Sequence, residues 1–87
     1  MLETGAEITH ETARKVLKAG LKRIAEGETQ LDCLALVRFD SSALAVLMAW
    51  RRATLARGRD LKVLRAPPAL ASLARAYGVD TLAFGEN

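Results

Sequence analysis

Residues 39–45 read FDSSALA, and this short stretch lies where an apolar strand-like run becomes an apolar helix-like run. Three small polar residues occupy the junction: Asp40, Ser41 and Ser42. Polar side chains at such a position suit three roles, because they cap the first turn of a helix, accept a phosphate or form part of a docking surface. The choice among these roles decides what the chain does.

The composition of the chain limits its class. Its 87 residues suffice for one domain, predicted to span 1–87, and 51% of them are hydrophobic while 26% are charged, as in a globular protein. The uncharged stretch from Ser41 to Trp50 is about half of the ~20 residues that a membrane span requires. No basic-then-apolar leader opens the chain, so we expect a cytoplasmic protein without direct membrane insertion.

The hydrophobic pattern alternates between strand-like and helix-like segments. Short apolar runs typical of strands occur at 5–9, 29–36, 61–65 and 81–84. Longer segments with helical spacing lie near 10–26, 42–57 and 67–77. Thr9 is the expected N-cap of the first helix, and Gly27, Gly58 and Gly78 are the expected ends of the three helices. The alternation predicts a single α/β domain with about four strands in a mixed, mostly parallel sheet and three principal helices.

The sequence contains little that supports catalysis. Neither the P-loop motif nor the dinucleotide-binding glycine motif is present. The one histidine, His10, lies among charged neighbours at the start of the first helix, which is typical of a solvent-exposed residue. The one cysteine, Cys33, falls in a predicted buried strand, where cysteine behaves as a small hydrophobic residue. We therefore predict that the chain is not an enzyme and has no catalytic, cofactor-binding or metal-binding residues.

The basic residues, which give a net charge of +3, form two groups. Those of the first helix cover its polar face and are mixed with Glu11 and Glu26, as on a solvated surface. With few aromatic residues in the chain, this arrangement does not favour nucleic-acid binding. The second group lies at the end of the second helix, where cations suit the helix dipole and are also placed to meet acidic groups of a partner: Arg51, Arg52, Arg57 and Arg59.

The second helix is apolar on every side for two turns, from Ala43 to Trp50. A helix that covers a sheet needs only one apolar stripe. Because so small a domain has difficulty burying both sides of the helix, we expect part of it to contact another protein. On this interpretation, Ala43→Glu abolishes partner binding and leaves the domain folded.

FDSSALAVL (39–47) resembles the D-[ST]-x-G-L motif of STAS domains, the fold of anti-sigma-factor antagonists and related regulators. The resemblance continues in register: Asp32 stands eight residues before Asp40, AEIT at 6–9 is similar to the family's G-E-L-D turn, and 58–82 is similar to its closing strand, helix and strand. Two features depart from the family. Ala43 replaces the motif's glycine, and the chain is expected to begin after the usual first strand, which leaves the sheet one strand short.

SSALAVLMAWRRA (41–53) and LARAYGVD (73–80) resemble the MlaB-like branch of this family, the small STAS subunits of Mla phospholipid ABC transporters. This resemblance implies a non-catalytic subunit that binds an MlaF-like ATPase and, through it, the permease, at the cytoplasmic face of the inner membrane of a Gram-negative bacterium. Such a transporter maintains outer-membrane lipid asymmetry. The implied partner-binding residues surround the start of the second helix: Asp40, Ser41, Ser42, Ala43, Leu44, Val46 and Leu47.

Ser41 leaves two functional interpretations open. It matches the hydroxyl residue that is phosphorylated in anti-sigma-factor antagonists and that is a serine or threonine in MlaB-like proteins. The resemblance therefore implies either a subunit of a lipid-transport ABC complex or an anti-sigma-factor antagonist regulated by phosphorylation of Ser41. A third interpretation is a cap alone, in which Asp40 and Ser41 offer oxygens to the bare N–H groups of the second helix.

Overall fold

A computed structural model describes residues 1–85 of the chain. Its elements are β1 (Leu2–Glu3), β2 (Glu7–Ile8), α1 (Ala13–Ala25), β3 (Gln30–Asp32), β4 (Arg38–Phe39), α2 (Ser42–Ala56), β5 (Lys62–Leu64), α3 (Pro68–Ala76) and α4 (Asp80–Phe84). The predicted α/β class and the three principal helices are confirmed. The last two positions of the predicted domain, 86 and 87, lie outside the described residues.

The strands form two small sheets rather than the single sheet predicted. β3 lies between β1 and β5 in one sheet, and β2 pairs with β4 in the other. Leu2 pairs with Leu31, 29 positions further along the chain, whereas Glu7 pairs with Arg38, 31 positions further along. The loop between β3 and β4 is therefore two residues longer than the link between β1 and β2. This extra length interrupts what would otherwise be one continuous strand pair.

All pairs of strands in the described part of the chain are parallel, so the expectation of a mixed sheet is wrong. The connections explain this result. α1 leads from the β1–β2 segment to β3, and α2 leads from β4 to β5. A helical crossover of this kind returns the chain in the same direction and makes neighbouring strands parallel.

The prediction of a strand at 81–84 is also wrong, because these residues are helical. α4 runs from Asp80 to Phe84, and the N–H of Ala83 donates to the carbonyl of Val79 at 2.9 Å. Ala83 is fully buried, and α4 packs against α2. A short apolar run does not distinguish a helix from a strand, so its packing against α2 decides the outcome.

The helix ends follow the sequence except at the start of α1. The three predicted glycines follow the helices with positive φ, and the N–H groups of Gly78 and Val79 donate to carbonyls in the last turn of α3, as in a Schellman motif. At the start of α1 the helix begins at Ala13, not near residue 10. Thr9 does not cap it, because the N-cap position is Thr12; the carbonyl of Thr9 accepts hydrogen bonds from the N–H groups of Thr12 and Ala13 in the preceding turn.

α1 and α2 approach each other closely at one point. The indole of Trp50 is fully buried, and its Nε1 donates to the carbonyl of Leu17 at 3.1 Å. A Cβ atom on Gly20 would lie 2.2 Å from that ring. Glycine at position 20 therefore lets the indole lie against the backbone of α1. This contact fixes which side of α2 faces the core.

Candidate partner-binding site

The junction before α2 is built around the Asp40 carboxylate. Its Oδ1 accepts a hydrogen bond from the N–H of Ser42 at 2.8 Å, and its Oδ2 accepts one from the N–H of His10 at 3.0 Å. The same Oδ2 lies 3.2 Å from Nδ1 of His10. These donors, the N–H of His10 foremost, hold the pKa of Asp40 well below its usual range. Asp40 thus caps α2, as predicted, and ties that helix to the turn before α1.

Ser41 does not act as predicted for a cap. It occupies the N-cap position, yet its side chain makes no capping hydrogen bond, and the residue is exposed. The Asp40 carboxylate supplies the oxygen that the first turn of α2 requires. The hydroxyl of Ser41 is therefore presented at the surface, and the interpretation of this residue as a cap alone is wrong.

Four of the predicted partner-binding residues lie in the core. Ala43, Leu44, Val46 and Leu47 are each at most 3% exposed. The expectation that these four side chains belong to the part of α2 left for a partner is corrected by this burial. The physical reason is that α1 packs along one flank of α2 and α4 packs along another, so one chain covers most of the helix. Within the folded domain these four side chains hold α2 in place.

A separate stripe of α2 remains at the surface. Its residues recur every three or four positions, the spacing of one helix face, and we name it the outer stripe: Ser41, Ala45, Met48, Arg52 and Leu55. Ala45 is exposed, Met48 is partly buried, and Leu55 is 52% exposed. Apolar side chains of α2 are thus exposed, but at Ala45 and Leu55 and not at the predicted positions. Ser41 is the one predicted partner-binding residue that belongs to the outer stripe.

Two hollows adjoin the outer stripe, and Met48 lines both. The first, of about 210 Å³, lies between the start of α2 and the turn after α3, and its lining is mainly apolar: Ser41, Leu44, Ala45, Met48, Tyr77 and Val79. The second, of about 530 Å³, lies between the second half of α2 and α4, and its lining includes Met48, Arg51, Arg52, Leu55 and Leu82. Together they form what we name the α2–α4 groove.

The sequence did not predict the residues that line the side of the α2–α4 groove opposite α2. Tyr77 and Leu82 are 61% and 60% exposed. The sequence pattern groups Tyr77 with the apolar face of the third helix and places Leu82 in a strand. Both positions are more than twenty residues from α2, and no local signal relates them to it. Only the packing of α4 on α2 brings them to the groove.

The arginines near the end of α2 differ in their surroundings. Arg51 is 12% exposed at its side chain, lies 2.6 Å from a carboxylate oxygen of Asp60 and donates to the carbonyl of Leu61. Arg52 is exposed and forms no ion pair within residues 1–85, and the same holds for Arg57 and Arg59. Arg51 therefore supports the fold, whereas Arg52 presents its charge in the groove.

The residues considered for chemistry lie apart from the groove or carry no catalytic geometry. Cys33 is fully buried, and burial raises the pKa of its thiol to about 11, which makes it unreactive. The side chain of His10 is 78% exposed and faces Asp40. Within residues 1–85 no cluster of three or more histidine, cysteine, aspartate or glutamate side chains is arranged to bind a metal ion. Over the same range, no helix has the length and apolar character needed to cross a membrane.

The molecule is thus a small α/β fold with parallel strands and helical crossovers, an Asp-Ser junction that opens α2 and a partly apolar groove beside it. The family described as "Mlab, STAS domain" matches residues 1–84. The chain therefore belongs to the MlaB-like STAS-domain family, and this membership supports a non-catalytic role in protein–protein interaction. No curated protein and no solved structure gives a match to the chain.

Proposed function

We propose that this chain is the non-catalytic STAS subunit of an Mla-type ABC complex that transports phospholipid and maintains outer-membrane lipid asymmetry. It binds an MlaF-like ATPase subunit and, through that subunit, is held near the permease at the cytoplasmic face of the inner membrane. The observation that carries the proposal is the match to the MlaB-like STAS family over residues 1–84.

The surface proposed for the ATPase subunit is the first half of the α2–α4 groove. Ser41, Ala45 and Met48 form one side of it, and Tyr77 forms the other. Asp40 and Ser42 border this surface, whereas the buried neighbours on α2 support it from below. An exposed apolar hollow next to polar groups is typical of a protein-binding site.

Co-purification with the ATPase subunit of the lipid-transport complex from the same cell tests the proposal. Ala45→Glu places a carboxylate in the apolar hollow and should abolish co-purification, because a charge buried without a partner at the centre of an interface is strongly unfavourable. Ala19→Glu makes the same change on the exposed face of α1 and should leave co-purification intact. Binding of the Ala45→Glu variant at the wild-type level would count against this surface. A wild-type domain that does not bind the ATPase would overturn the function.

A second function, an anti-sigma-factor antagonist regulated at Ser41, is favoured by one observation. The Ser41 hydroxyl is exposed and is not used to cap α2, so it is open to modification. Mass spectrometry of the protein isolated from its native cell, combined with identification of the proteins bound to it, distinguishes the two functions. Phosphate on Ser41 together with a bound serine kinase supports the antagonist. An ABC ATPase bound to unmodified protein supports the transport subunit.

A further inference from the structure

The α2–α4 groove has two ends that differ in chemistry. At the end near Ala45 and Tyr77 the lining is mainly apolar. At the other end the lining includes the exposed Arg52 together with the apolar residues Leu55 and Leu82. Met48 lines both hollows, so a single ligand segment lying along α2 contacts both ends.

The charge at the second end is neutralised only in part within residues 1–85, because its lining contains Arg51, Arg52 and one carboxylate, Asp60. Arg51 is paired with Asp60 and is mostly buried. Arg52 has no carboxylate partner in that range, and Arg57 and Arg59 add two further exposed cations where α2 ends. A partner that covers this end must either desolvate Arg52 without compensation or supply an anion. Because an unpaired charge buried at an interface is strongly unfavourable, carboxylates are the favoured neighbours.

The length of the groove suits a helix. The outer stripe runs from Ser41 to Leu55, fourteen residue steps along the helix, which corresponds to about 21 Å at ~1.5 Å per step. The side chains of the stripe recur at helical spacing, the arrangement that interdigitates with a second helix packed alongside. An apolar stripe of about four turns on the partner would therefore follow α2 from end to end.

We infer that the α2–α4 groove binds an amphipathic helix of the partner, with apolar side chains against Ala45, Met48 and Tyr77 and aspartate or glutamate side chains against Arg52. This inference rests on the proposed function, since it describes the segment of the ATPase subunit that occupies the groove. It goes further because it states the orientation and the charge of that segment.

The test measures the affinity of the purified ATPase subunit for the domain at low and at moderate salt. Arg52→Glu should weaken binding about tenfold or more at low salt and should remove most of the salt dependence, because it replaces an attraction by a repulsion. Arg52→Lys keeps the charge and should retain most of the affinity. Arg14→Glu makes the same charge change on the exposed face of α1 and should alter the affinity less than about twofold.

A photo-crosslinking residue at Leu82, which is 60% exposed beside the groove, identifies the segment that lies there. The expected crosslinked peptide is an amphipathic helix with carboxylates at one end, and replacing those carboxylates by lysine should restore binding to the Arg52→Glu variant. If Arg52→Glu binds like Arg14→Glu while Ala45→Glu fails to bind, the inference is wrong and the proposed function stands. A crosslinked peptide without acidic residues also overturns the inference. If the wild-type domain does not bind the ATPase subunit, both are wrong.

Discussion

The inner and outer faces of α2 are both largely apolar, yet they have opposite surroundings. The inner face carries Ala43, Leu47 and Trp50, which are fully buried. The outer stripe carries Ala45 and Leu55, which are exposed. The difference comes from the neighbours of the helix, because α1 and α4 cover two of its flanks and leave the third open. An apolar residue is therefore available to a partner only where no other element of the domain reaches it.

The largest expected difference between the two faces comes from placing the same charge on each. Ala43→Glu puts a carboxylate in a fully buried site and should cost at least about 3 kcal/mol of unfolding free energy, from desolvation and overpacking. We therefore expect Ala43→Glu to destabilise the domain strongly, contrary to the expectation from the sequence that this variant stays folded. Ala45→Glu, two residues away on the exposed side, should change stability by less than about 0.5 kcal/mol.

Urea unfolding followed by circular dichroism measures both variants. A fully folded Ala43→Glu domain with wild-type stability would mean that the inner face is not covered as the structure shows. An unfolded Ala45→Glu domain would mean that the outer stripe is not free. Either result removes the distinction between the two faces.

The next largest effect concerns the contact that covers the inner face. Gly20→Ala places a methyl group about where the Trp50 ring lies, since the added Cβ would be 2.2 Å from it. Overpacking of this kind costs about 1–3 kcal/mol, and the better helix propensity of alanine returns about 1 kcal/mol. We expect a net loss of stability in thermal unfolding. In a Trp50→Phe background, where the ring is smaller, the same change should cost less, and an equal cost in both backgrounds would contradict the assigned contact.

A smaller effect concerns the carboxylate that fixes the start of α2. The pKa of Asp40 is lowered in the folded state, so its ionised form stabilises the fold above the unfolded pKa of about 3.9, and this contribution is lost as the pH falls further. Asp40→Asn removes the titrating group and keeps an oxygen acceptor for the N–H of Ser42. Wild type should therefore keep its stability advantage over Asp40→Asn above about pH 4 and lose it progressively as the pH falls below that value, as measured by urea unfolding. If the difference in unfolding free energy between wild type and Asp40→Asn does not change with pH, the ionised carboxylate of Asp40 does not stabilise the fold.

The smallest effect on stability is expected at Ser41, the first residue of the outer stripe. Ser41→Ala removes no capping bond and should change the unfolding free energy by less than about 0.5 kcal/mol. Ser41→Asp places a negative charge at the positive end of α2, which is favourable by about 0.3–1 kcal/mol but is opposed by Asp40. Both should melt near the wild-type temperature, while Ser41→Asp should bind the ATPase subunit more weakly than Ser41→Ala. Wild-type affinity in both variants would remove Ser41 from the partner surface.

Features that depend on near neighbours along the chain could be predicted from the sequence. The three long helices, their glycine ends and the Asp40 cap all rest on bonds between residues a few positions apart, and they were predicted at these places. The α/β class also followed, because alternating strand-like and helix-like runs leave few other folds.

Which apolar residues of α2 stay exposed depends on tertiary packing and could not be predicted from the sequence. The contact of Trp50 with Gly20 and the position of Tyr77 beside Ser41 join residues that are thirty or more positions apart. The same packing made residues 81–84 a helix rather than a strand and split the strand pairing into two sheets. The hydrophobic effect is non-directional, so the burial of an apolar side chain depends on its neighbours in space and not on its neighbours in sequence. A pattern that is apolar on every side of α2 therefore contains no information about which side another protein reaches.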